Sequence, residues 1–203
     1  MRILVLTFVI LLLFSNPVFA EEASFSATLS STGNDIGVSK ITPASPIYFL
    51  KTLRENLEMK LALTPHVKKI RQLEFATRRL REVRSLREVN RQDLIQPTLE
   101  RYLSYLSKLD PQDLSDPEVV TRVKESLAVH LEVLEQIYTK ITNKSAKIAI
   151  RSIVNRIVER VGVPLYARVP ACYFLQKEST ASSITEPERV ILQERATKCL
   201  INK

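Results

Sequence analysis

The chain has 203 residues, with 30 Lys and Arg against 22 Asp and Glu, a formal net charge of +8, 3 glycines, 2 cysteines and no tryptophan. So few glycines leave little material for hairpin turns or for loops that cradle a phosphate, and the composition favours helices over sheets. The length suffices for one domain with a substantial core, and the basic balance draws the chain toward anionic partners.

In chain order, Met1-Arg2 is followed by an apolar run from Ile3 to Phe14, broken only by Thr7. Ser15-Asn16-Pro17 ends the run, and Val18-Phe19-Ala20 precedes Glu21-Glu22. A charged start, a short apolar core and a small residue at the cut form the layout of a secretory leader, so residues 1–20 are expected to direct export and be removed after Ala20. The run is shorter than the roughly 20 residues of a spanning helix, and no later stretch qualifies, so no transmembrane helix is expected after cleavage. Residues 21–41, rich in Ser and Thr, read as a disordered tail, and 42–203 as a single helical domain.

Ser45-Pro46, Thr64-Pro65 and Asp116-Pro117 each place a capping side chain before a proline, the pattern of a helix start. Thr185 and Glu188 have capping-box spacing. The first helix is expected over 46–63, with Ile47, Leu50, Leu53, Leu57 and Leu61 on one face, and the second over 65–89. A third covers 91–108, where Pro97 implies a kink or a restart, and Asp110-Pro111 ends it. A fourth runs over 117–142 and a fifth over 145–161, stopping at Gly162. Residues 163–183 read as irregular because of Pro164 and Pro170, and a last helix spans 187–200. The fold expected is an all-α, up-and-down bundle of five to six helices.

Cys172 and Cys199 lie close to the C-terminus. In an exported chain an even count reads as a disulfide, closing the 163–203 segment at about 3–4 kcal/mol on the chain-entropy account. Two free thiols or a metal pair are the alternatives, and the only histidines available to complete a metal site are His66 and His130.

Residues 65–91 concentrate basic side chains: Lys68, Lys69, Arg71, Arg78, Arg79, Arg81, Arg84, Arg87 and Arg91. Solvated helix faces with intrachain pairing account for most such runs. The sharper reading is an anion-binding surface formed by Lys68, Lys69, Arg71, Arg78, Arg81, Arg84, Arg87 and Arg91, directed at anionic lipid or wall polymer. Nucleic acid is disfavoured, because Phe75 is the one aromatic within the helix and export removes the target. Ser126 and His130 share a helix face, yet nothing supplies an oxyanion hole, and a surface or half-buried histidine is expected. None of the HExxH, GxSxG, Walker or GxGxxG motifs occurs, so neither catalysis nor a cofactor is expected.

One stretch resembles a known family. Thr42-Pro43-Ala44-Ser45-Pro46-Ile47-Tyr48-Phe49-Leu50-Lys51, then Glu55 and Glu58, precede Leu73-Glu74-Phe75-Ala76-Thr77-Arg78-Arg79-Leu80-Arg81-Glu82. This resembles the bacterial domain of unknown function numbered 5667, over about 42–90. The resemblance implies a helical hairpin in a protein of the bacterial envelope, periplasmic or extracellular, and no activity. Within such a hairpin Tyr48 would pack at the mouth while Arg78 or Arg79 pairs with Glu55 or Glu58. The leading expectation is therefore a non-catalytic envelope adaptor or scaffold that binds another envelope protein. The alternative is a peripheral binder of anionic lipid or wall polymer through 65–91.

Overall fold

The computed structural model describes residues 36–109, 114–160 and 162–201, and among them are seven α-helices and no strand. The expected leader and most of the expected tail lie outside the described residues, as does the Asp110-Pro111 stop. The helices are α1 (Tyr48–Leu61), α2 (Pro65–Glu88), α3 (Ile95–Leu106), α4 (Pro117–Lys140), α5 (Lys144–Val158), α6 (Leu165–Ser179) and α7 (Glu186–Ile201), with a short 3-10 turn at Gln92–Leu94. The count exceeds the expected five to six because residues 163–183 are not irregular. Most of that stretch is α6, which carries Pro170 inside it.

The caps explain several of the boundaries. The Thr64 hydroxyl accepts from the Val67 amide at 3.2 Å, and Pro65 follows at the first helical position. Asp116 accepts from the amides of Glu118 and Val119, and Asn143 accepts from Ala146 at 2.9 Å. Ser45 does not cap α1: the Ser45 amide donates to the Thr42 carbonyl in a turn, and the helix starts later, at Tyr48. Asn90 closes α2 in the left-handed region, with φ 56°. There the Arg91 amide reaches back to the Leu86 carbonyl and the Asn90 amide to that of Arg87, a Schellman end. Pro97 restarts the chain rather than kinking it, since it falls in the first turn of α3, where no amide partner is lost.

The helices pack as hairpins α2/α3, α4/α5 and α6/α7, stacked so that α2, α4 and α6 form one row and α3, α5 and α7 the other. Polar clamps join successive hairpins. Gln92 accepts from the amides of Thr142 and Asn143, and Arg160 donates to the carbonyls of Leu106, the last residue of α3, and of Leu109 beyond it. Between the rows lies one continuous apolar core, including Leu80, Leu99, Leu127, Leu134, Ile153 and Leu175. Cys172 and Cys199 are joined in a disulfide, Cα–Cα 6.0 Å, which ties α6 to α7, one helix to another. The tail expected over 21–41 gives way at Ile36, which is buried. From there the Ser39 amide donates to the Ser85 hydroxyl, and Arg81 holds the Ile36 carbonyl. None of the described helices is long and apolar enough to cross a membrane.

Candidate functional site

Helix α1 packs with its polar side inward. Its period places Tyr48, Lys51, Glu55 and Glu58 on one side and Leu50, Leu53, Leu57 and Leu61 on the other. The polar side faces α2, and the leucines are 51–67 % exposed. Ile47, Phe49 and Leu63 extend the same exposed apolar surface. Sequence periodicity finds this stripe but not which way it points, because an apolar stripe ordinarily marks a core face.

The reversal follows from what α2 presents to α1. Arg79 is 1 % exposed and cannot be buried without counter-charge. Its guanidinium donates to both Glu55 carboxylate oxygens and to the Tyr48 hydroxyl, and lies 3.1 Å from Glu82, one turn along the same helix. Glu82 is fully buried. It meets the Lys51 ammonium at 2.6 Å and accepts from the Tyr48 hydroxyl at 3.0 Å. Arg78 pairs with Glu58 at 3.1 Å at the edge, and Arg101 of α3 donates to the Tyr48 hydroxyl at 3.2 Å. The inner set is Arg79 and Lys51 against Glu55 and Glu82, which is neutral overall. Burial pushes the Tyr48 hydroxyl up to about 12, with Glu82 adding to the effect. Burial also raises Glu82, against the pull of Arg79 and Lys51. For Arg79 burial acts to lower the pKa, but Glu82 and Glu55 outweigh it and the pKa rises. The expected placement of Tyr48 against an Arg–Glu pair is therefore present. Lys51, Glu82 and Arg101 complete it, and the first two stand within the quoted motif without having been singled out.

A second cluster has the same chemistry. Arg151 of α5, itself buried, makes a two-pronged pair with Glu188 of α7 at 2.8 and 3.0 Å and donates to the Tyr138 hydroxyl of α4 at 3.0 Å. Tyr138 donates to Glu178 of α6. One arginine thus ties together α4, α5, α6 and α7. No local sequence signal marked it, because its members stand on separate elements.

The anion-surface residues are scattered. Arg71 pairs with Glu74, Arg78 with Glu58, Arg87 with Glu88 and Arg91 with Asp93. Lys69 donates to the Lys108 carbonyl and Arg81 to that of Ile36. Arg84 is half-buried, and of the eight only Lys68 and Arg91 are exposed. Lys68 lies in the first turn of α2 and Arg91 just past its end, so roughly 30 Å of helix at 1.5 Å per residue separates them, and the middle of α2 is core.

His130 is neither on the surface nor half-buried but 1 % exposed. Thr77 donates its proton to the Leu73 carbonyl, so its oxygen takes the Nε2 proton of His130, while Nδ1 accepts from Tyr102. Burial, with Arg81 nearby, lowers this imidazole to about 3. Both ring nitrogens are occupied within the core, which leaves no site for substrate. Glu132 and Glu135, on the same helix, border a separate cleft of about 260 Å³ lined also by Leu131, Val154 and Phe174.

Among the described residues these features define a class: an all-α stack of helical hairpins whose first helix, α1, is held by buried ion pairs and turns its apolar face outward. The chain belongs to the DUF5667 family, a domain of unknown function, whose model matches residues 40–144, just over half of the sequence. The match runs from α1 through α4 to the residues that begin α5, well beyond the 42–90 of the motif. No curated protein and no solved structure matches the chain.

Proposed function

We propose that this is an exported, non-catalytic helical protein of the bacterial envelope that acts as an adaptor or scaffold, with the outer face of α1 as its docking element. The observation that carries this is the orientation of α1: its polar side is spent on Arg79 and its leucines are left in solvent. A contiguous exposed stripe of this kind marks an interaction surface, since soluble surfaces seldom leave one uncovered. Covering the remaining exposed part of each leucine is worth on the order of 1 kcal/mol. The disulfide supports an oxidising compartment, and the leader-like segment 1–20 supports export.

The charge-driven reading through residues 65–91 has less support, because most of those cations are engaged within the protein and the exposed ones are far apart.

Site-specific photocrosslinking tests the docking element. A photoreactive phenylalanine at position 57 should form adducts with an envelope component, lipid or protein, and the same group at exposed position 173 of α6 should not. Leu53→Gln in the position-57 background should reduce the adducts several-fold, with no more than about 0.5 kcal/mol change in stability, because Leu53 is exposed. Equal labelling at both positions, or none at 57, sinks the reading.

A further inference from the structure

Charge around the α1 face is one-sided. Between residues 45 and 70 the only acidic side chains are Glu55 and Glu58. Glu55 is buried on Arg79, and Glu58 is drawn toward Arg78 and Arg54. The exposed charges of that stretch, Arg54, Lys60 and Lys68, are all basic. The outward surface is therefore leucine and phenylalanine set among cations.

The position of Lys60 narrows the choice of occupant. At 100° per residue it falls between Phe49 and Leu53, inside the apolar arc rather than at its margin. A partner helix laid along the arc would bury that ammonium. A second copy would bring Lys60 and Arg54 against their own equivalents with no exposed acid to receive them. At a bilayer surface the lysine stem lies along the apolar arc while the ammonium reaches a phosphate. Among the described helices, α1 has α2 as its principal neighbour, at one end of the stack. Its 14 residues span roughly 21 Å.

From these observations we infer that the outer face of α1 seats itself in the headgroup boundary of an anionic phospholipid bilayer, leucines toward the acyl chains and Lys60 and Arg54 toward the phosphates. The inference rests on the reading of α1 as the docking element and names its occupant.

The chain has no tryptophan, so one introduced indole reports a single place. Full-length protein carrying Leu57→Trp is titrated with vesicles of phosphatidylglycerol and phosphatidylcholine, beside a control carrying Tyr173→Trp. The position-57 emission should move to the blue and become shielded from an aqueous quencher, while position 173 stays unchanged. Adding Lys60→Glu to the position-57 reporter should weaken the partition about tenfold or more, and unchanged thermal melting would show that the fold is kept. A position-57 reporter that stays silent on vesicles overturns the inference. So does an equal response at both positions, or one equally strong on phosphatidylcholine alone. A silent vesicle reporter together with a protein adduct at position 57 would leave the docking element standing and remove only the lipid.

Discussion

The two arginine clusters use the same parts in different settings. Arg79 and Arg151 are both buried, both bonded to a tyrosine hydroxyl and both matched by two glutamates. Around Arg79 the carboxylates of Glu55 and Glu82 are 3 % and 0 % exposed, whereas Glu178 and Glu188 around Arg151 are 13 % and 21 % exposed. The first cluster is the main tie between α1 and the stack, and it lies wholly within the family match. The second reaches from Tyr138 inside the match to Arg151, Glu178 and Glu188 beyond it, and the disulfide joins the two helices that carry these glutamates. A buried ion pair is weak evidence of net stability, but removing one partner leaves charge stranded. The N-terminal cluster fixes which side of a helix faces in. The C-terminal one reinforces helices that are already well packed.

Two changes would break or sharpen that contrast. Arg79→Ala should have the largest effect, a loss of about 3–5 kcal/mol in chemical denaturation, because buried Glu55 loses its close partner and buried Glu82 is left with Lys51 alone. Amide exchange should show α1 losing protection while α6 and α7 keep theirs. Unchanged stability would remove the argument for the inward polar side of α1. Arg151→Ala should cost less, about 2–3 kcal/mol, since its glutamates can rehydrate. A loss equal to that of Arg79→Ala would show that exposure of the carboxylates does not set the cost.

His130 supplies a third case, a buried polar group satisfied without counter-charge. Its folded pKa of about 3 lies below the 6.5 of a free imidazole, so between those values the unfolded chain binds the extra proton. Stability contributed by the neutral ring is therefore complete above about pH 6.5 and falls on acidification, by about 2 kcal/mol at pH 5. Denaturation at pH 7 and pH 5 should show this slope, and His130→Gln should flatten it. A slope unchanged in the variant would assign the acid sensitivity to other groups.

Much of the architecture was legible in local chemistry. Thr64-Pro65 and Asp116-Pro117 mark helix starts because caps act within a few residues, whereas α5, expected to run to Gly162, ends at Val158. The disulfide was legible from the even cysteine count together with the leader-like start of the chain. Helix α6 was not, since Pro164 and Pro170 read as breakers. Pro164 instead precedes the first turn, and Pro170 is carried inside a helix packed against α4, α5 and α7. The Ser45-Pro46 signal failed in the other direction and made a turn. Of the N-terminal network, Tyr48, Glu55 and Arg79 stood in the motif, while Arg101 depended on α3 being folded alongside.

The sequence by itself determined that the chain is helical, where most helices begin, that its cysteines pair, and that α1 has one apolar and one polar side. Only the tertiary structure decided which of those sides faces inward. Periodicity is a property of one helix, whereas orientation depends on what lies opposite. Opposite α1 lies Arg79, a buried charge whose need for Glu55 and Tyr48 keeps the polar side in and leaves the leucines facing out.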